Sequence, residues 1–310
     1  MVARRDQRAQ REISAWRPRV PGVVEVFHAH YTGYAYPMHV HEAWTLLIVD
    51  DGAVRYDLDR HEHGTPHDTV SLLPPHVPHN GSPVTPHGFR KRVLYLDLTQ
   101  LDASLIGPAV DSPDLVDPLL RRRVGQLHTA LARPGDELEA ESRLALVGER
   151  LRGHLRRRPD ASTGTAGTRT GGTGTAGTRT GGTGTAGTGS ARTARRADRT
   201  VAQQLRELLD ARLVEGVGLA EAARLLHAHP SHLVRAFSGA FGIAPHQYLM
   251  SRRVDRARRL LLDGQPPGEV AAATGFYDQP HLNRHFKRLV GVAPGRFRGS
   301  GRHDGGRSRG

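Results

Sequence analysis

Residues 232–249 and 281–298 are two versions of one segment. Sliding the sequence by 49 places lays "HLVRAFSGAFGIAPHQYL" on "HLNRHFKRLVGVAPGRFR" without a gap, and His, Leu, Arg, Phe, Gly, Ala and Pro coincide. Ahead of them, Ala222 and Ala223 fall on Ala271 and Ala272. Self-similarity at a fixed spacing means that one supersecondary unit is used twice. Whatever surface one copy presents, the other presents again nearby.

In the second copy Leu282, Phe286 and Leu289 recur at helical spacing and predict a helix from about Gln279. Asp278 is placed to cap it, Pro280 suits the first turn, and Gly291 ends it. Gln279, His281, Asn283, Arg284 and Lys287 then face outward or flank the exposed side. Before it, "PGEVAAATG" reads as a short helix with Gly275 for the turn, so the unit is a helix-turn-helix. In the first copy Leu233 and Phe237 face inward while Ser231, Val234, Arg235 and Ser238 face out. A helix from Pro245 to about Leu262 joins the copies and would hold two reading helices about one DNA turn apart. Arg can pair bidentately with guanine, Asn and Gln with adenine, and Lys with phosphate. A solvated polar face is the plain alternative for either helix alone, and the repetition weighs against it.

Charge points the same way. Residues 1–160 hold 21 Lys+Arg and 21 Asp+Glu, the next thirty add two Arg, and residues 191–310 hold 21 basic against 10 acidic. The last part therefore carries +11 of the net +13, the footprint of a nucleic-acid-binding domain attached to a neutral one. Cysteine is absent, which excludes disulfides and thiolate metal sites. No apolar run approaches the roughly 18 residues of a membrane span, and the opening residues lack a signal-peptide core. A cytoplasmic protein without membrane contact is expected.

Residues 161–190 run "ASTGTAGTRTGGTGTAGTRTGGTGTAGTGS", repeats of TGTAGTRTGG without apolar side chains. Such a segment is expected to be a flexible tether with ends roughly 30 Å apart. Before it, "VVEVF", "WTLLIV", "AVRYDL", "TVSLL" and "RVLYLDL" read as short strands, separated by "DDG", "HEHGTPHD" and "LPPHVPHNGSPVTPHG" as turns. A small antiparallel barrel or sandwich follows. Two amphipathic helices come next, over residues 115–158, the second placing Leu138, Leu144, Val147 and Leu151 toward one side. They can pack on the barrel or dimerise with another copy.

The segment from about 200 to 298, above all "GFYDQPHLNRHFKRLVGVAPGRFR", resembles the DNA-binding domain of the AraC/XylS family of bacterial transcription regulators. "PMHVHEAWTLLIVDDGAVRYDL" with "LLPPHVPHN" resembles that family's cupin-like effector-binding domain. The resemblance implies an α+β two-domain chain. Residues 1–110 form a cupin-like β-barrel, 111–160 a helical segment that can pack on it or dimerise, 161–195 the linker, 196–300 an all-α domain with two helix-turn-helix units, and 301–310 a disordered tail. It implies that Ser231, Val234 and Arg235, with Gln279, Pro280, His281, Asn283 and Arg284, face the bases. His229 departs from the pattern, standing where a small capping hydroxyl is usual.

His39, His41 and His79, with Glu42 nearby, resemble the histidine set of metal-binding cupins. Three readings stay open for them: contacts to an effector in the barrel, ligands to a divalent metal, or packing at the barrel mouth. Glu42 follows His41 directly and should point to the opposite face. The implied function is an effector-responsive, sequence-specific DNA-binding regulator rather than an enzyme. Its partners would be double-stranded DNA, a small-molecule effector, a second copy and RNA polymerase. The alternative is a metal-binding cupin enzyme or metal sensor carrying a DNA-binding domain. With the domains joined by a tether, coupling would pass through dimer geometry or domain docking.

Overall fold

A computed structural model describes residues 12–65, 68–133, 135, 137–156 and 187–300. Most of the Thr/Gly repeat and the tail 301–310 lie outside the described residues. The N-terminal part is built from ten strands: β1 (Glu12–Trp16), β2 (Val23–Tyr31), β3 (Tyr36–His39), β4 (Trp44–Gly52), β5 (Val54–Leu58), β6 (His61–Thr65), β7 (Thr69–Leu73), β8 (His79–Pro83), β9 (Phe89–Leu96) and β10 (Asp114–Val116). They form two antiparallel sheets, a larger one in the order β1-β2-β9-β4-β7-β10 and a smaller one in the order β3-β8-β5-β6. The expected barrel is thus realised as two separate sheets rather than one closed ring.

The larger sheet is buried on both faces, which explains why "WTLLIV" is continuously apolar instead of alternating. Leu46, Ile48, Leu72 and Leu94 pack under helices, whereas Leu47, Val49, Val93 and Tyr95 belong to the core on the opposite side. Two segments read as turns are strands. "HEHGT" pairs along β5, with Tyr56 opposite His63, and β8 lies within the proline-rich stretch, with His79 opposite His39. Pairing uses the backbone, and strand side chains announce themselves only where a face is buried. β6 is mostly exposed, so its sequence carries no such signal.

Helices α1 (Ile106–Asp111), α2 (Pro118–Leu131) and α3 (Glu137–Arg156) follow. α2 and α3 cover the outer face of the larger sheet. The buried stripe of α3 is Ala140, Leu144, Val147, Leu151 and Leu155. Leu138 does not join it and is 78% exposed. Six residues separate it from Leu144, a rotation of about 240° on a helix, which places it on the far side.

The C-terminal part comprises α4 (Gly187–Ala211), α5 (Leu219–Leu225), α6 (Pro230–Phe241), α7 (Pro245–Leu262), α8 (Pro267–Ala273), α9 (Gln279–Val290) and α10 (Pro294–Ser300). α4 begins inside the range assigned to the linker. The run "SARTARRADRTVAQQLRELLDA" is rich in Ala, Arg, Gln, Glu and Leu, whose helix propensity is high, and the helix extends back into it. The two copies are matched. α6 and α9 have 12 residues each and end at Gly242 and Gly291, with φ of +67° and +94°. Leu282, Phe286 and Val290 are buried in α9, while Leu289 is only partly so. Val290 takes the third inward position because i, i+4, i+8 tracks the buried face here as well as i, i+4, i+7.

Candidate functional site

Each reading helix is fixed by its own ends. Asp278 accepts the His281 N–H at 2.7 Å and caps α9. His229 performs the same task for α6, its Nδ1 accepting the Ser231 N–H at 3.3 Å. The residue that departs from the usual hydroxyl therefore still caps. Ser231, Arg235, Gln279, Pro280, Arg284 and Lys287 are exposed, while Val234 and Asn283 are half-buried. His281 is half-buried too. Its Nδ1 accepts the Tyr277 N–H at 3.3 Å, and its ring lies against Phe276 and His285. Desolvation, then the charge of Arg284, hold it below the usual imidazole range. Tyr277, 93% exposed just ahead of α9, is a further candidate contact that the sequence reading did not single out.

Not all of the basic excess is on the surface. Arg252, Arg253 and Arg258 on α7 are buried. Arg253 donates to Leu213 O and Val214 O, and Arg252 bonds Asp210. The positive footprint is correspondingly smaller than the charge count.

The three histidines do come together. Their rings lie 4.4 to 5.3 Å apart between centroids, and one nitrogen from each lies within 4.8 Å of the others. Each Nδ1 donates elsewhere: His39 to Pro37 O at 2.8 Å, His79 to Val77 O at 3.1 Å, and His41 to Asp255 at 3.1 Å. This fixes the tautomers and leaves the Nε2 atoms free of those bonds. Burial pulls all three below the ordinary value, His79 to about 3, so they are neutral. They line a void of about 50 Å³ together with Tyr31, Tyr36, Lys91 and Arg258. Glu42 does not line it. Its carboxylate pairs with Arg252 at 2.6 Å and Arg259 at 2.5 Å instead.

Those last contacts belong to a seam between the two parts of the chain, which sequence reasoning missed. One apolar core runs from the inner face of the larger sheet into the helical part. Across it, Arg258 bonds Glu25 at 2.5 Å and Tyr95 at 3.1 Å, both carboxylate and guanidinium being buried. Asp255 takes the His41 ring and the Glu42 N–H at 3.1 Å each. Tyr31 donates to Val290 O at 2.8 Å, and Tyr34 to Lys287 O and Arg288 O. Arg60 on the β5–β6 turn donates to Gly239 O. The N-terminal part thus touches both reading helices near their C-terminal ends and leaves their N-terminal halves outward. Glycine is required at 291 on two counts: φ is +94°, and a Cβ there would meet the Tyr31 ring at 2.8 Å.

Comparison with known proteins agrees with this division. A family model for the AraC-like ligand binding domain matches residues 21–147, and one for a helix-turn-helix domain matches residues 222–300. The probable transcriptional regulator LumQ of Photobacterium leiognathi is 31% identical over 90 residues, 29% of this chain and 36% of that protein. The uncharacterised regulator YbfI of Bacillus subtilis is 36% identical over 76 residues, 24% of this chain and 28% of that protein. The matches thus span about a third of those relatives' length. An apo variant of ToxT from Vibrio cholerae superposes with a TM-score of 0.52 at 10% identity, covering 96% of this chain and 99% of that one; this is a likeness of fold. Among the described residues no helix is long and apolar enough to cross a membrane. With a ligand-binding-domain match on the strands and a helix-turn-helix match on the repeated unit, this chain belongs to the AraC/XylS family of transcription regulators.

Proposed function

We propose that the chain is a cytoplasmic, sequence-specific DNA-binding regulator whose N-terminal pocket takes a small effector, and that it is not an enzyme. The observation that carries this is the seam. The pocket wall includes Arg258 and Val290 from the helical part, and the same part presents both reading helices. An occupant that distinguishes docked from parted domains would shift DNA affinity by its differential affinity for the two. A void of about 50 Å³ is small beside the several hundred that hold a drug-sized ligand. A larger effector would have to enter with the seam opened. The exposed Leu119, Leu138 and Leu146 on α2 and α3 offer a surface for a second copy, and RNA polymerase is the further partner this role implies.

The test is base discrimination on a site selected from random DNA. Arg284→Ala or Arg235→Ala should weaken the selected site by about 1–3 kcal/mol and relax preference at one base pair, while Lys287→Ala weakens all DNA about equally. Equal losses on selected and random DNA for Arg284→Ala would refute the reading role.

The histidine set supports a second reading, a metal sensor. Three neutral imidazoles with Nδ1 bonded outward are a suitable donor set, and Asp255 would be an outer partner of His41. Two nitrogens on one tetrahedral ion are roughly 3.3 Å apart, so nitrogens that here lie within 4.8 Å of one another would have to close in where they stand wider than that. Equimolar Co²⁺ uptake that disappears in His79→Ala is its test.

A further inference from the structure

We propose that the cavity is a site for a small carboxylate or comparable oxyanion, gripped by Lys91 from the ligand-binding domain and by Arg258 from the DNA-binding domain. This rests on the effector-pocket reading above and names the chemistry of the effector.

Lys91 on β9 is the unusual residue of the pocket. Its ammonium stands 4.4 Å from the centre of the Tyr36 ring and 5.8 Å from that of Phe27, and no carboxylate pairs with it among the described residues. Ring faces offset only part of the loss of water around a cation. Arg258 brings a second unmet need. Its terminal nitrogens serve Glu25 and Tyr95, but its Nε is buried without a partner. The carboxylates nearby are already committed, Glu25 to Arg258 and Asp255 to His41 and the Glu42 N–H. The remaining lining carries no further carboxylate or cationic side chain: it is imidazole, tyrosine, phenylalanine, threonine, asparagine, glycine and aliphatic residues. The uncompensated charge of the cavity is therefore positive.

That sign decides between occupants. A divalent cation at the histidines would face Lys91 and Arg258, whose charges act on these same rings, and the repulsion is strong where water is scarce. An anion meets the opposite situation. It supplies Lys91 with a counter-charge and accepts from Arg258, and charge-assisted bonds of this kind are the stronger class. The void of about 50 Å³ suits a group of a few heavy atoms, either a small acid or the head of a larger one. Because Lys91 and Arg258 belong to opposite sides of the seam, an anion between them adds a bond across it. It binds the docked arrangement better than the parted one, and by reciprocity it holds the reading helices in the docked geometry.

The experiment compares acetate with its uncharged analogue acetamide on the full chain, at pH 6, where Lys91 keeps its proton, and at constant ionic strength made up with chloride. Acetate should bind with a dissociation constant on the order of millimolar, as its few heavy atoms allow, and should raise the melting temperature, whereas acetamide does neither. Lys91→Met should weaken acetate at least tenfold while remaining folded, because the substitution removes an ill-solvated charge and keeps the apolar stem. Phosphate, run in parallel, tells a planar from a tetrahedral anion site. Equal effects of acetate and acetamide overturn the proposal, as does unchanged acetate affinity in Lys91→Met. So does tight equimolar Zn²⁺ binding indifferent to that substitution in a protein that ignores both anions. DNA binding to the selected site is measured without added anion. Failure of acetate with DNA discrimination intact removes this inference alone, and failure of DNA discrimination removes the regulatory reading.

Discussion

Lys91→Met also makes a thermodynamic prediction whose sign and pH window follow from the surroundings of the lysine. The groups around Lys91 are the Phe27 and Tyr36 rings, Arg258 from α7, the histidines 39, 41 and 79, and the hydroxyls of Tyr31 and Tyr95. Burial, followed by the charge of Arg258, lowers its pKa from 10.5 to about 7. The unfolded chain holds this proton up to about pH 10.5, while the native state releases it near pH 7. The native state is thus penalised in full below pH 7, progressively less between 7 and 10.5, and not at all above. A fall of this size corresponds to about 4–5 kcal/mol. Water entry and relaxation at a half-buried site should reduce it to about 2 kcal/mol.

Lys91→Met should therefore stabilise the N-terminal domain by about 2 kcal/mol at pH 7, a rise of about 4–8 °C in its melting temperature. The advantage should shrink to a few tenths by pH 10, at about the limit of detection. Urea unfolding followed by tryptophan fluorescence is the assay, since both tryptophans, Trp16 and Trp44, lie in this domain. Comparing variant with wild type at each pH cancels the tyrosines that titrate in both. A variant less stable at pH 7, or equally advantaged at pH 7 and pH 10, would refute the reasoning.

Other substitutions test the scaffold. Phe286 is fully buried beneath α9 beside Phe297, so Phe286→Ala should destabilise the helical domain by about 3–5 kcal/mol in calorimetry and abolish DNA binding without removing a contact residue. Asp117 caps α2 through the Leu119 and Leu120 N–H groups and pairs with Arg150 and His154. The Arg150 hydrogen bond, ahead of the others, holds its carboxyl well below the usual range. Its stabilisation is complete above the unfolded value of about 4 and is lost as pH falls toward the folded one. Asp117→Asn should lower the melting temperature at pH 6 and flatten its decline between pH 5 and 2.

What the sequence determined is what neighbours along the chain decide. The spacing of Leu282 and Phe286, Asp278 ahead of them and Gly291 behind them set the second reading helix, because caps and periodicity act within a few residues. Repetition at 49 places extended that conclusion to α6. The gathering of His39 and His41 with His79 was also legible, since two residues in an extended segment and a third on a paired strand share a side. Glu42, grouped with the histidines as an effector contact although strand alternation pointed it to the opposite face, turns away from the void, and its arginine partners lie more than 200 residues on. The tertiary structure decided the rest. Strands β6 and β8 pair by backbone and carry little apolar pattern, and Leu138 looked inward until the pitch of α3 was fixed. The seam left no local trace at all. Nothing local in the sequence marks Glu25 or Arg258 as buried or pairs Asp255 with His41, and only packing brings these groups together. Charge is legible in a sequence, but the partner of a buried charge is set by contacts across hundreds of residues, so the wall shared by pocket and DNA-binding domain appears only in three dimensions.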